Sequence, residues 1–476
     1  FFGRLNYNYD EKYLFEFNIR HDGTSKFRRN NMWKTFPSFS LGWNIAHENF
    51  WKPLENTVNT LKLRASYGSL GNQNIDNWYQ TYSTVDYKSV SGTWLQGGKK
   101  TNITAAPGLV SAALGWEKVE SYDVGLDWGA FNNRLTGSFD YYVRNTKDMV
   151  GPAPELPALL GTAVPKTNNT DLRTTGWELQ IGWRDHLENG LNYGVTFNVS
   201  DAQAKVTRYP NNPTGSLSSY IENRKVGEIW GYETIGIAKT NDEMNQHLAT
   251  LPNGGQSQLG DKWAAGDIMY KDLDGDGKIS NGSNTLADHG DLKVIGNNTP
   301  RYLFGLDLTA SWKGFDFRAF MQGVMKRDYN VNGSWGAREY LFGATDSGVW
   351  WAAGITGVQD YFRDSETWSV KNGYESENLN AYLPRPQYSE KNIHTQTRYL
   401  LNAAYLRMKN LQIGYTLPQS LVSKAGLGNV RFFVSAENLF TITDLPSQFD
   451  PETIDTAYGN GYPLSRTFSF GVNVTL

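Results

Sequence analysis

Apolar residues recur at every second position over much of this chain, most fully over residues 301–323. Tyr302, Phe304, Leu306, Leu308, Ala310 and Trp312 are apolar, and Leu303, Gly305, Asp307, Thr309 and Ser311 between them are mostly small or polar. Lys313-Gly314 follows, and the alternation resumes with Phe315, Phe317, Ala319 and Met321 set against Asp316, Arg318 and Gln322. Successive side chains of a strand point to opposite faces, so a period of two predicts strands. Two such runs joined by a short Gly-containing loop predict an antiparallel hairpin.

The module recurs. Leu5, Tyr7 and Tyr9 are followed by Tyr13, Phe15, Phe17 and Ile19; Phe39, Leu41, Trp43 and Ile45 alternate with Ser38, Ser40, Gly42 and Asn44. Leu61 to Tyr67, Tyr122 to Trp128, Leu135 to Val143, Trp177 to Trp183 and Leu191 to Val199 repeat it, as do 405–417, 430–438 and 466–476. The pattern predicts about thirteen strands of about nine to eleven residues, the length that crosses a bilayer when tilted. Connections 9–12, 129–134, 185–190 and 313–314 are short, and 45–61 and 418–429 are moderate. Connections 21–36, 68–118, 144–175, 201–300, 324–403 and 439–465 are long. Long and short alternate, so an antiparallel sheet would gather every long loop at one end. A soluble sandwich with its apolar face inside needs no such asymmetry. Outer-membrane barrels have it, with short periplasmic turns and long extracellular loops. The expected fold is therefore all-β, a transmembrane antiparallel β-barrel, with residues 1–476 forming part of a single barrel domain.

Composition narrows the partners. The chain has 476 residues, 14% aromatic and 20% charged, with a net charge of −3 and no Cys. No basic stripe calls for nucleic acid. Without Cys there is neither a disulfide framework nor a thiolate metal site. No apolar run approaches a transmembrane helix; 348–355 is among the longest. That leaves a membrane barrel open, since only alternate wall residues need be apolar. The sequence opens at Phe1 within a strand pattern, and a longer protein is expected, with its N-terminal part absent here.

The words on these strands carry a resemblance. KYLFEFNIRHDGTSKF, FPSFSLGWNI, LKLRASYGSLGNQNI, GDIMYKDLDGDGKI, NNTPRYLFGLDLTASWKGFDF, YLRMKNLQIGYTLP and VRFFVSAENLFTIT stand in this order between residues 12 and 443. Together they resemble the C-terminal barrel portion of SusC/RagA-like TonB-dependent transporters of the Bacteroidetes outer membrane. The resemblance implies a 22-stranded barrel, a plug with a TonB-interacting segment upstream of Phe1, and a SusD-like lipoprotein lid over the outer loops. It implies import of oligosaccharides or peptides across the outer membrane and no enzymatic activity. A passive porin or a barrel adhesin that binds through its loops is the alternative, and a barrel-embedded enzyme a third. The substrate-contacting residues stay unassigned.

One local motif points to a cofactor. Asp272, Asp274 and Asp276 alternate, with Gly277 sixth from Asp272, as at the start of an EF-hand-type calcium loop. Hard oxygen ligands suit Ca²⁺, and Lys278 would add its backbone carbonyl. Ile279 would pack inward and anchor the loop. Position twelve is Ser283 instead of the bidentate Glu, so Asp267 or Asp288 would have to stand in. The bland reading is an acidic, solvated turn. The expected role is to stiffen the 201–300 loop.

The aromatic residues divide. Trp43, Trp128, Trp183 and Trp312 lie near strand ends and fit an interfacial girdle. Trp94, Trp263, Trp335, Trp350, Trp351 and Trp368 lie in long loops. They would stack on sugar rings or peptide side chains, or more simply build loop cores. No phosphate-cradling loop, H-E-x-x-H or G-x-S-x-G occurs. On 466–476, Phe468, Phe470, Val472, Val474 and Leu476 should face lipid, and Thr467, Ser469, Gly471, Asn473 and Thr475 the lumen. This strand should pair on one side with 430–438, and on the other with a strand upstream of Phe1 instead of with Phe2–Tyr9.

Overall fold

A computed structural model of the protein describes residues 1–75, 78, 81–85, 87–88, 95–104, 107–152, 159, 164–333, 338, 341–342, 359–456 and 461–476. Thirteen strands follow one another in sequence order through one antiparallel sheet. They are β1 (Phe2–Tyr9), β2 (Tyr13–Gly23), β3 (Trp33–Asn44), β4 (Val58–Asn72), β5 (Glu117–Ala130), β6 (Leu135–Gly151) and β7 (Thr167–His186). Then come β8 (Asn192–Arg208), β9 (Arg301–Trp312), β10 (Phe315–Lys326), β11 (Tyr405–Thr416), β12 (Asn429–Glu437) and β13 (Thr467–Thr475). A short segment, Thr441–Thr443, pairs with β11 as a fourteenth member. Among the described residues, β1 and β13 stand at the two ends of this order. Among the described residues no helix is long and apolar enough to cross a membrane.

Strand length varies more than expected, from 8 residues in β1 to 20 in β7, and several strands exceed the expected span. Twenty extended residues span about 66 Å, against an outward apolar band of ~25 Å. The surplus continues as paired ribbon beyond the alternating stretch, where a polar composition replaces the alternation read from the sequence.

The short turns follow from local chemistry. Between β9 and β10, Lys313 and Gly314 take φ of +48° and +88°. Two left-handed residues match the right-handed strand twist, and Gly makes the second one free of strain. Between β1 and β2, Asp10 and Glu11 take φ of +51° and +52°, and Lys12 N donates to Tyr9 O at 2.9 Å. Asn8 Oδ1 accepts from Glu11 N at 2.9 Å, which helps hold that otherwise disfavoured turn.

Two compact units divide the chain, one of Phe1–Leu179, Ala202–Thr214 and Ser219–Lys225, the other of Gln180–Asp201, Gly215–Ser218 and Val226–Leu476. In the first, the apolar face of the strands is bare: Leu41 is 54% and Val124 53% exposed. The opposite face holds ions. Arg64 Nε donates to Asp127 at 2.8 Å, and its Nη2 lies 2.9 Å from Asp140. A Cβ on Gly125 would stand 2.3 Å from Asp140 and 2.7 Å from Arg64, so only Gly leaves room for this bridge.

The second unit repeats the arrangement. Phe470 is 81% exposed on β13, while Arg318 pairs with Asp307 at 2.8 Å and Arg431 with Asp316 at 2.8 Å on the other face. Gly414 stands beside the last pair as Gly125 does beside Arg64. A soluble sandwich buries its apolar face and exposes its charges; here the apolar rows are open and the charges are mutually satisfied.

Candidate functional site

The long connections of the second unit are folded. Glu228–Tyr232 pairs with Leu292–Asn297, and Thr234–Ile237 with Ile268–Tyr270. A nine-residue helix, α1 (Asn241–Ala249), is capped by Thr240, whose side chain accepts from Glu243 N at 3.1 Å. Segments distant in sequence share one core: Tyr232, Ile268 and Tyr270 from one connection pack with Leu383, Ile393 and Tyr399 from the next and Leu445, Phe449 and Ile454 from the last. Nothing local in the sequence announces this cluster, because its members meet only after the strands have paired.

The acidic loop hangs from that core. Carboxylate oxygens of Asp272, Asp274 and Asp276 lie within 4.8 Å of one another. Gly275 and Gly277 take φ of +77° and +79°, turning the backbone so that their N–H groups donate to Asp272 at 2.6 and 3.0 Å. Ile279 is buried, as expected of an anchor. Lys278 sends its ammonium to Asp276 at 3.1 Å.

The expected stand-ins for position twelve are engaged elsewhere. Asp267 is buried and bound to Arg385 at 2.9 and 2.8 Å, to Lys391 at 2.9 Å and to Asn392 at 2.9 Å. Asp288 is tied to Ser283 N at 3.0 Å and Ser283 Oγ at 2.5 Å. The residue the motif missed is Asp291. It is fully buried, accepting from Leu273 N at 2.6 Å and Ser280 N at 2.7 Å, and so clamps both ends of the loop. Burial, together with the nearby Asp274 and Asp272 carboxylates, pushes its carboxyl above the ordinary range although both amides oppose the shift.

Asp267 is the hub between two connections. Burial alone would raise its pKa, but Arg385, Asn392 and Lys391 outweigh it and hold the carboxyl below its ordinary value. Lys391 Nζ also donates to Asp261 O at 2.8 Å and Lys262 O at 2.9 Å and lies 4.8 Å from the Trp263 ring centre.

The aromatic residues sort accordingly. Trp263 meets Tyr270 edge-on at 6.3 Å and donates to Gly260 O at 3.0 Å, which makes it a core residue. Trp368 is 69% exposed and stacks on Tyr374 at 5.4 Å. Trp94, Trp335, Trp350 and Trp351 lie outside the described residues, as does the 348–355 run. Near the ends of β3, β7 and β9, Trp43 donates to Glu48 at 3.1 Å, Trp183 to the Tyr193 hydroxyl at 3.2 Å and Trp312 to Asn189 O at 3.2 Å. Each indole N–H thus finds a polar partner, which suits a girdle at the membrane interface.

Known proteins share this design. The family model of TonB dependent receptor-like β-barrels matches residues 1–439. TonB-dependent receptor P3 of Formosa agariphila is 33% identical over 498 aligned residues, covering 99% of this chain and 45% of that protein. TonB-dependent receptor SusC of Bacteroides thetaiotaomicron is 27% identical, over 100% of this chain and 43% of that protein. The RagAB peptide importer in its open-open state has the same fold, with a TM-score of 0.72 at 23% identity over 100% of this chain and 46% of that one. The chain spans less than half the length of these relatives.

Proposed function

The chain belongs to the TonB-dependent receptor-like β-barrel family of the outer membrane, and from that premise we propose that it forms the C-terminal barrel portion of a SusC/RagA-type importer. The whole protein takes up oligosaccharides or peptides, with TonB engaging a region outside this chain and a SusD-like lipoprotein covering the outer loops. The observation that carries this reading is the pairing of bare apolar strand faces with a folded, aromatic-rich outer assembly. Exposed apolar rows of this extent are stable only against lipid. A loop assembly with its own core is a platform, larger than a pore rim needs. Backbone groups along the free edges of β1 and β13 would each cost several kcal/mol in hydrocarbon, so further strands of the longer protein join them.

Uptake of labelled oligomers by intact cells tests this. Uptake that stops when TonB is deleted supports the importer. Uptake that continues without TonB favours a passive porin, and binding without uptake favours an adhesin. Native purification of the barrel alone, repeated in mild detergents, would remove the lid.

Calcium belongs to the same proposal. Three clustered carboxylates fit a hard divalent ion, with Asp272, Asp274, Asp276 and the Lys278 carbonyl as its holders. A cation there would neutralise the charge that Asp291 now meets. It would stiffen the 201–300 connection and take no part in chemistry.

A further inference from the structure

On the lipid-facing side of the first unit one row of side chains is interrupted. The register across β3, β4, β5 and β6 aligns Leu41, Ala65, Val124 and Tyr141, and next to it Phe39, Tyr67, Tyr122 and Val143. Ala65 is the small residue in these rows, and the gap beside it is a groove of about 510 Å³ lined by both. The Phe39 and Tyr67 rings lie 5.3 Å apart and the Tyr67 and Tyr122 rings 5.1 Å apart, an aromatic wall along the groove's loop-side edge.

Beyond that wall the same face becomes cationic. Glu120 is opposite Asn145, and Lys118 is opposite Lys147 on the following rung of like-facing residues. Lys147 lies four positions beyond Val143, ~13 Å of strand, which carries the lysines out of hydrocarbon into the headgroup layer. Lys118 and Lys147 both reach Glu120, at 2.5 and 2.7 Å, and Arg173 Nε donates to Asn145 at 2.9 Å. Glu120 is only 7% exposed, so two ammonium groups converge on one covered carboxylate, and Arg173 adds a third cation through Asn145, the residue opposite Glu120. Asp171, two residues from Arg173, is held by Arg208 at 2.9 Å.

We propose that this is a binding site for one phosphate-bearing lipid of the outer leaflet. An acyl chain lies in the groove beside Ala65, and the phosphate meets Lys147, Arg173 and Lys118. The inference rests on the membrane reading above and goes further. An ordinary lipid annulus needs neither a notch nor a charge preference, whereas basic side chains just above an aromatic belt select anionic headgroups.

Native mass spectrometry of the full-length, delipidated protein tests it, titrated with lipid A and with the same lipid after phosphatase treatment. One phosphorylated lipid should be retained under activation that strips the dephosphorylated form. The Lys147→Gln/Arg173→Gln double variant should weaken retention by ~10-fold or more. Ala65→Phe, which fills the groove and leaves every charge, should weaken it as well. Equal retention of both lipids, or retention untouched by either variant, overturns the site. Outer-membrane fractionation and heat-dependent gel mobility of the same preparations report the barrel separately. A protein that fails those has failed the membrane reading, whereas an intact barrel with indiscriminate lipid has failed only this one.

Discussion

Arg407 on β11 holds Asp450, 43 residues further along the chain, with Nη2 2.9 Å from Oδ1. Its Nη1 lies 2.9 Å from Glu452 Oε1, off the hydrogen-bond direction, so that contact is an ion pair alone. Its Nε donates to Thr441 at 2.7 Å, and Lys409 adds a second hold on Glu452 at 3.0 Å. Arg407 is buried, the side chain of Asp450 is largely covered, and Arg407 is opposite Gln322 on the ion-bearing face of β10. The last long connection is therefore fastened to the strand wall.

Replacing Arg407 by Met should release that connection. Removing one partner of a buried ion pair costs about 3–5 kcal/mol because the other charge stays buried. Limited proteolysis of the purified full-length protein should then cut within 444–456 while heat-dependent gel mobility still reports a folded barrel. Resistance equal to the parent protein would mean that packing of Leu445 and Phe449, and not the ion pair, secures the segment.

Asp267 makes the outer assembly sensitive to acid. Its carboxyl is held below the ordinary carboxylate value of about 3.9 by Arg385, Asn392 and Lys391. Folding therefore favours the ionised form. That contribution is complete above the unfolded value and fades as pH falls through the folded one. Protection factors, corrected for intrinsic exchange, should fall over 261–271 and 385–396 below pH ~4, before the strands lose theirs. Asp267→Asn should lower protection in both segments at neutral pH and flatten the dependence. An unchanged acid profile in that variant would assign the sensitivity to other carboxylates.

Chelation should act on the acidic loop and leave the sheet alone. Removing calcium should raise amide exchange over 272–291 by about tenfold or more, and returned calcium should restore protection. Asp274→Asn should exchange quickly with or without the ion. Exchange indifferent to calcium in the parent protein would leave Asp272, Asp274 and Asp276 as a solvated turn stabilised by their own amide bonds.

What the sequence made legible was local. Alternation placed Phe468 and Phe470 on one face and Ser469 on the other, and β13 begins and ends within one residue of the run that predicted it. Lys313-Gly314 specified its turn through the backbone angles such residues accept. The thirteen strands in order follow from counting such runs. What escaped was non-local. Asp267 and Asp288 look like spare calcium ligands in one dimension, yet Arg385, Lys391 and Ser283 claim them in space. Asp291 lies outside the motif's spacing and still clamps its ends. Strand length misled because pairing continues beyond the apolar stretch that marks the membrane, as in β7.

The facing of β13 gives the sharpest test of the membrane reading. Phe470 is opposite Val434 and Phe468 opposite Ala436, whereas Ser469 is opposite Ser435 and Asn473 opposite Arg431. Arg431 is committed to Asp316, so the Ser469 face is the one that already stores charge. A carboxylate placed at 470 would sit in hydrocarbon with no cation across the strand, at a cost of roughly 2 kcal/mol or more near mid-membrane. The same carboxylate at 469 would meet water and a hydroxyl. Phe470→Asp should therefore lower the yield of heat-modifiable, outer-membrane-inserted protein several-fold, and Ser469→Asp should leave it near the parent level. Phe470→Leu, which keeps the apolar surface and drops the ring, separates burial in lipid from loss of aromatic packing and should insert normally. Equal tolerance of Asp at both positions would mean that the bare apolar row does not face lipid, and the barrel reading of the second unit would fall with it.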